Sequence, residues 1–241
     1  MSDLRPGGPR SGGPRSGGSR SWSWEQAGGG SGMVAVLLYA AAMLVGGKPP
    51  APDEPILNVV RYLAEHRTAL LWQALLLAPV GPLALWFFAT LRGVLVAAEA
   101  RSAALTNAGF AAAILLFASV TGGSLLLTAV VWRGAEATAP ELVRFAYDCA
   151  VLALYALSSM LSVASVVAPT IVGWRMRILP GASVVVASAL AVANVLELFG
   201  LFSVSAPFAA GAAAGWIAIP AYFAWIAGAS WALLRRSAPA H

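Results

Sequence analysis

Two acids stand inside long stretches that hold no other charge. Glu197 lies in the apolar run from Ala182 to Phe202, and Asp148 lies just inside the run from Phe145 to Gly173. A carboxylate in such a setting must find a partner or lose its charge, so each is a candidate functional group by default. Asn194 sits one helical turn before Glu197, and Gln73 falls at similar depth early in another apolar run. One chemistry this set offers is an outward-facing polar pocket with two acids, suited to proton or cation coupling. The other is structural: Asp148 pairs with Arg144 one turn earlier, and Glu197 is protonated or hydrogen-bonded to Asn194 or Gln73. Little else could react. The single lysine, Lys48, lies between spans, so no Ser–Lys dyad is available. One cysteine, Cys149, and two histidines, His66 and the terminal His241, give no metal-ligand spacing and no internal disulfide. No HExxH, Cys-x-x-Cys, P-loop or GxSxG pattern occurs. The expectation is therefore no metal, no cofactor and no catalytic residue.

The elements that position these groups are membrane spans. The chain has 241 residues, 59% hydrophobic and 10% charged. Soluble domains carry about 25% charged residues, so the solvent here is lipid. Runs of this length must be helical, because an open sheet edge is not tolerated in hydrocarbon. The fold class is all-α: a polytopic bundle with spans at about 28–47, 68–91, 103–132, 145–173, 182–202 and 208–234. Residues 1–21 repeat Gly, Pro, Ser and Arg, with Arg5, Arg10, Arg15 and Arg20 every fifth residue, and read as a disordered tail. The transmembrane domain then covers 22–236, and 237–241 form a short C-terminal tail.

Span one is the weakest, and a signal-peptide h-region is its alternative reading. Ahead of span two, Ile56, Val59, Val60 and Leu63 recur at three-to-four spacing opposite Asn58, Arg61 and Glu65. That is an amphipathic outer helix, continuous with span two, lying on the surface or over the mouth of the bundle. His66 reads as an interfacial side chain. Pro79 and Pro82 near the centre of span two are expected to kink it; Pro169 and Pro220 mark spans four and six. Ser158, Ser159, Ser162 and Ser165 spread along span four. Small residues, including Thr121-Gly122-Gly123-Ser124 and Gly211-xxx-Gly215, read as packing positions.

Counting basic residues orients the bundle. One side holds ten arginines, Arg92, Arg101, Arg175, Arg177, Arg235, Arg236 and the four of the tail; the other holds Lys48 and four arginines. Both termini are thus expected in the cytoplasm of a cell membrane. The basic balance of +5 is a topology signal, and nucleic acid is not an expected partner; the bilayer is, together with a protein partner or a second copy. Heavy use of Ala, Gly, Arg and Pro suggests a GC-rich bacterial genome.

Two stretches resemble a family of six-span bacterial integral membrane proteins described only as a domain of unknown function. One runs from Tyr62-Leu63-Ala64-Glu65-His66-Arg67 through Trp86-Phe87-Phe88-Ala89-Thr90-Leu91-Arg92. The other runs from Phe145-Ala146-Tyr147-Asp148 through Arg177-Ile178-Leu179-Pro180. The resemblance implies six helices and a membrane location, and no reaction. At Gly181-Ala182 this chain departs from the aromatic that follows Pro180 in the family pattern. The expected function is that of a structural or partner-binding membrane component. The alternative is a small cation- or proton-coupled transporter using Glu197 and Asp148, with a membrane enzyme third.

Overall fold

The computed structural model describes residues 24–99, 103–199, 202 and 215–236. Every extended element among them is helical, as lipid demands of a backbone that must satisfy its own hydrogen bonds. Helix α1 spans Trp24–Gly46, α2 Ile56–Glu65, α3 Arg67–Leu77, α4 Val80–Ala98 and α5 Ala104–Arg133. A short 3₁₀ turn at Ala135–Ala137 leads to α6, Pro140–Val151. A π-helical segment, Leu152–Ala156, joins α6 to α7, Leu157–Arg175; α8 is Ala182–Leu198 and α9 is Gly215–Arg236. The Gly/Pro/Arg tail, the Gly211 packing motif, the start expected for span six and the C-terminal tail lie outside the described residues.

Among the described residues five helical units are long and apolar enough to cross a membrane: Trp24–Gly46, Arg67–Ala98, Ala104–Arg133, Pro140–Arg175 and Ile217–Arg236. The chain therefore has the build of a multi-pass membrane protein. The apolar α8 has 17 residues, at the short end of what a bilayer crossing requires. Helix α1 starts earlier than its apolar core suggests, because Gly28, Gly29 and Gly32 are helical and buried against neighbours. An alanine methyl at Gly28 would stand 2.4 Å from Thr90 Cβ, so α1 and α4 approach to a distance that only glycine permits.

One expectation about span two is corrected. The amphipathic helix is not continuous with it: α2 ends and α3 begins at His66, whose φ of −100° and ψ of 13° leave the helical range. The helix of span two is interrupted at Ala78-Pro79, and Pro82, which has no N–H to return to Ala78 O, follows in the first turn of α4. Pro169 and Pro220 lie within α7 and α9, which continue through them.

The core gathers Phe87, Phe88, Leu91 and Leu95 of α4, Val166 of α7, Leu190 of α8, and Tyr222, Trp225 and Ile226 of α9. Trp225 stacks on Phe88 with ring centroids 6.0 Å apart, and Tyr39 of α1 stacks on Phe223 at 3.8 Å. Leucines and valines such as Leu37, Leu115, Leu125, Val185 and Val192 point outward, where a lipid-facing surface needs them.

Three units are longer than one bilayer. Arg67–Ala98, Ala104–Arg133 and Pro140–Arg175 have 32, 30 and 36 residues. At about 1.5 Å per residue they reach roughly 45–54 Å, against a hydrocarbon core of about 30 Å. Their excess ends together. Val59 and Leu63 of α2 are buried against Val130, Val131, Ala135, Val143 and Tyr147, and Arg67 donates to the carbonyls of Val131 at 3.0 Å and Trp132 at 2.7 Å. The connection between α1 and α2 is tied down as well. Arg144 donates to Glu54 O at 2.9 Å and to Pro52 O, Tyr147 to Pro50 O, and Tyr62 to Gly46 O at 2.9 Å. These elements form a cap over one end of the bundle.

Candidate functional site

The four polar residues singled out from the sequence do not form one site. Asp148 lies on α6, in the cap, about half exposed, with its Oδ2 3.3 Å from Arg144 Nε. Gln73 lies on α3 with its amide packed against Gly46 of α1. Neither meets Glu197. Asp148 stands eleven positions before Ser159, the residue that does, which is about 16 Å along the helix.

Glu197 and Asn194 share the buried face of α8, as their three-residue spacing requires. That face meets the serines of α7. Ser162 donates to Asn194 Oδ1 at 2.8 Å, and Asn194 Nδ2 returns to its own helix at Leu190 O, also 2.8 Å. Ser159 Oγ lies 3.4 Å from Glu197 Oε2. Further in, Ser165 Oγ lies 3.5 Å from the Tyr222 hydroxyl, and Trp225 Nε1 donates to Thr170 Oγ1 at 2.8 Å. A seam of small polar groups thus runs down the junction of α7 with α8 and α9. Sequence spacing exposes its logic late: Ser158, Ser159, Ser162, Ser165 and Thr170 recur on one face of α7, but nothing in the chain says that α8 is what they face.

The serines have a second duty. Ser158 and Ser159 donate to the carbonyls of Leu154 and Tyr155, inside the π-helical segment. Such back-bonding is common where hydroxyls sit in membrane helices. Here it serves carbonyls in a turn whose own N–H pattern is widened, since Leu157 N–H reaches Leu152 O five residues back. No proline or glycine marks this segment, so sequence reading missed it.

Counting protons at Glu197 then matters. Its side chain is 5% exposed, and its Oε1 has no hydrogen-bond partner among the described residues. Ser159 has one hydroxyl proton and two acceptors in reach, Tyr155 O and Glu197 Oε2. If that proton goes to the carbonyl, the carboxyl and the serine face each other as two lone pairs unless Glu197 supplies the proton itself. Among the described residues no cation is paired with this acid, and no group of three His, Cys, Asp or Glu side chains is assembled for a metal.

At the opposite end of α7 and α8 a recess of about 520 Å³ is lined by Trp174, Arg175, Arg177, Leu179 and Gly181. It opens where α7 closes: Ile178 and Leu179 N–H both bond Gly173 O, and Arg177 takes a φ of 56°. No family model, curated protein or solved structure matches the chain.

Proposed function

We propose that the chain crosses a cell membrane six times, α8 included, with both termini in the cytoplasm, and serves as a structural or partner-binding component. The six-span count agrees with the family resemblance carried by the stretches around Tyr62 and Asp148. The observation that supports a structural role is the seam itself. Ser162 donates to Asn194 Oδ1 and Trp225 Nε1 donates to Thr170 Oγ1, so these polar groups tie α7 to α8 and α9. Interhelical hydrogen bonds of this kind contribute about 0.6 kcal/mol each on average, which suits specificity of packing. The test is reconstitution. In sealed proteoliposomes the protein should catalyse no ion or proton flux, while native extracts should hold it in an assembly larger than the single chain. A flux abolished by Glu197→Gln would overturn this reading.

A coupling role is the second reading, and one observation favours it: a buried carboxyl whose Oε1 has no partner among the described residues, beside a widened helical turn. Asp148 does not share in it, because Arg144 holds that carboxylate in the cap.

A further inference from the structure

We propose that Glu197 is a proton-binding site, neutral at rest, that exchanges its proton with the solution at the capped end of the bundle. This goes beyond the structural role of the seam; that the capped end is the outer one rests on the orientation proposed above.

Three observations carry it. First is the count of donors. With Ser159 donating to Tyr155 O, a carboxyl proton on Oε2 converts a lone-pair contact into a hydrogen bond to Ser159 Oγ. Second is the absence of compensation. Ser159 of α7 faces Glu197, with Tyr155 of the π segment one turn before it; Ser162 faces Asn194, and Tyr222 of α9 meets Ser165 farther in. None is a cation, so an ionised carboxylate has nothing among the described residues to offset its desolvation. A proton needs only the acid itself, whereas a metal ion needs several oxygens, and the nearest hydroxyls are already spent on backbone carbonyls.

Third is position. Ser159 stands sixteen positions above Arg175, or about 24 Å from the inner boundary, which puts Glu197 in the outer part of the membrane. Tyr155 lies one turn farther out, in the segment whose carbonyl takes the Ser159 hydroxyl, and Tyr147 and Tyr62 end on carbonyls of the outer connection, at Pro50 and Gly46. The capped end of the bundle is thus the end nearer the acid. The step is an exchange: a proton leaves outer water, resides on the carboxyl and returns to outer water, with no other bond changed.

Infrared spectroscopy of the protein in sealed vesicles tests this. A protonated-carboxyl carbonyl band should be present at neutral pH, vanish in Glu197→Gln and shift in frequency in Glu197→Asp. Alkaline buffer on the face that carries the cap, located by thiol labelling of Ala137→Cys, should remove it, and alkaline buffer on the other face alone should not. A band absent at neutral pH in the folded protein, one that responds only to the face opposite the cap, or one that Na⁺ or K⁺ removes at fixed pH would overturn the proposal.

Discussion

Ser162 and Asn194 join α7 to α8 by a hydrogen bond at full strength, 2.8 Å between buried groups. Ser159 and Glu197, at 3.4 Å, make a weaker one. The two pairs should respond differently. Asn194→Leu strands the Ser162 contact and leaves Leu190 O to its helix alone, and should lower stability by about 1 kcal/mol. Glu197→Leu should cost less, because Ser159 keeps its bond to Tyr155 O and an apolar side chain suits the site. Unfolding in mixed micelles measures both, and a double-mutant cycle of Ser162→Ala with Asn194→Ala should return a coupling near 0.6 kcal/mol. A larger loss from Glu197→Leu than from Asn194→Leu would make Glu197 the anchor of the seam. In the cap, burial raises the ionisation of the Tyr62 hydroxyl above its ordinary value of 10.0. A phenol held neutral by the fold stabilises it below the unfolded value and loses that contribution as pH climbs past it. Protease cleavage in the connection between α1 and α2 should therefore rise above about pH 10, and Tyr62→Phe should remove this step while raising cleavage at neutral pH.

At the scale of the helix, the close approach of α1 to α4 rests on Gly28. Gly28→Ala places a methyl 2.1 Å from Thr90 Oγ1 and 2.4 Å from Thr90 Cβ, and should destabilise by about 1–3 kcal/mol through forced repacking. Thr90→Gly in the same chain should recover part of that loss in the same unfolding measurement; no recovery would mean that Gly28 acts through something other than this contact. This helix shows what sequence could and could not tell. Hydropathy carried the apolar units and the two-sided pattern of Val59 and Leu63, because both follow from the residues alone. It undervalued the Gly28–Gly32 stretch, since glycine is a poor helix former until a neighbouring helix needs its missing side chain. The break at His66 and the π turn at Leu152–Ala156 were invisible for the same kind of reason: no residue in either place forces the geometry, and packing of the cap and the seam sets it. Glu197 and Asn194 were legible as a buried pair from their spacing. Their true partners were not, because the choice between Gln73 and the serines of α7 depends on which helices are neighbours.

For the whole molecule, the long units and the charge count point the same way. The cap gathers Lys48, Arg61, Arg67, Arg133 and Arg144 with Asp53, Glu54, Glu65, Glu136, Glu141 and Asp148, whereas Arg92, Arg175, Arg177, Arg235 and Arg236 lie at the other end of the bundle. An excess of Lys and Arg in short loops marks the cytoplasmic side, and with the tail and Arg101 counted the proposed orientation puts the cap outside. A single reporter cysteine, placed in a chain carrying Cys149→Ser, decides this. A membrane-impermeant thiol reagent added to intact cells should modify Ala137→Cys, which follows the exposed Glu136 in the turn before α6, and should spare Ser237→Cys, which follows α9. Permeabilised cells should label both. The reverse pattern would invert the bundle, and labelling of both sites in intact cells would leave an even number of crossings between them, removing α8 from the membrane. The same orientation governs the buried acid. If the cap faces outward, the end of the bundle nearer Glu197 is the outer one; if the bundle is inverted, that end is cytoplasmic, and the side from which pH reaches Glu197 must change with it.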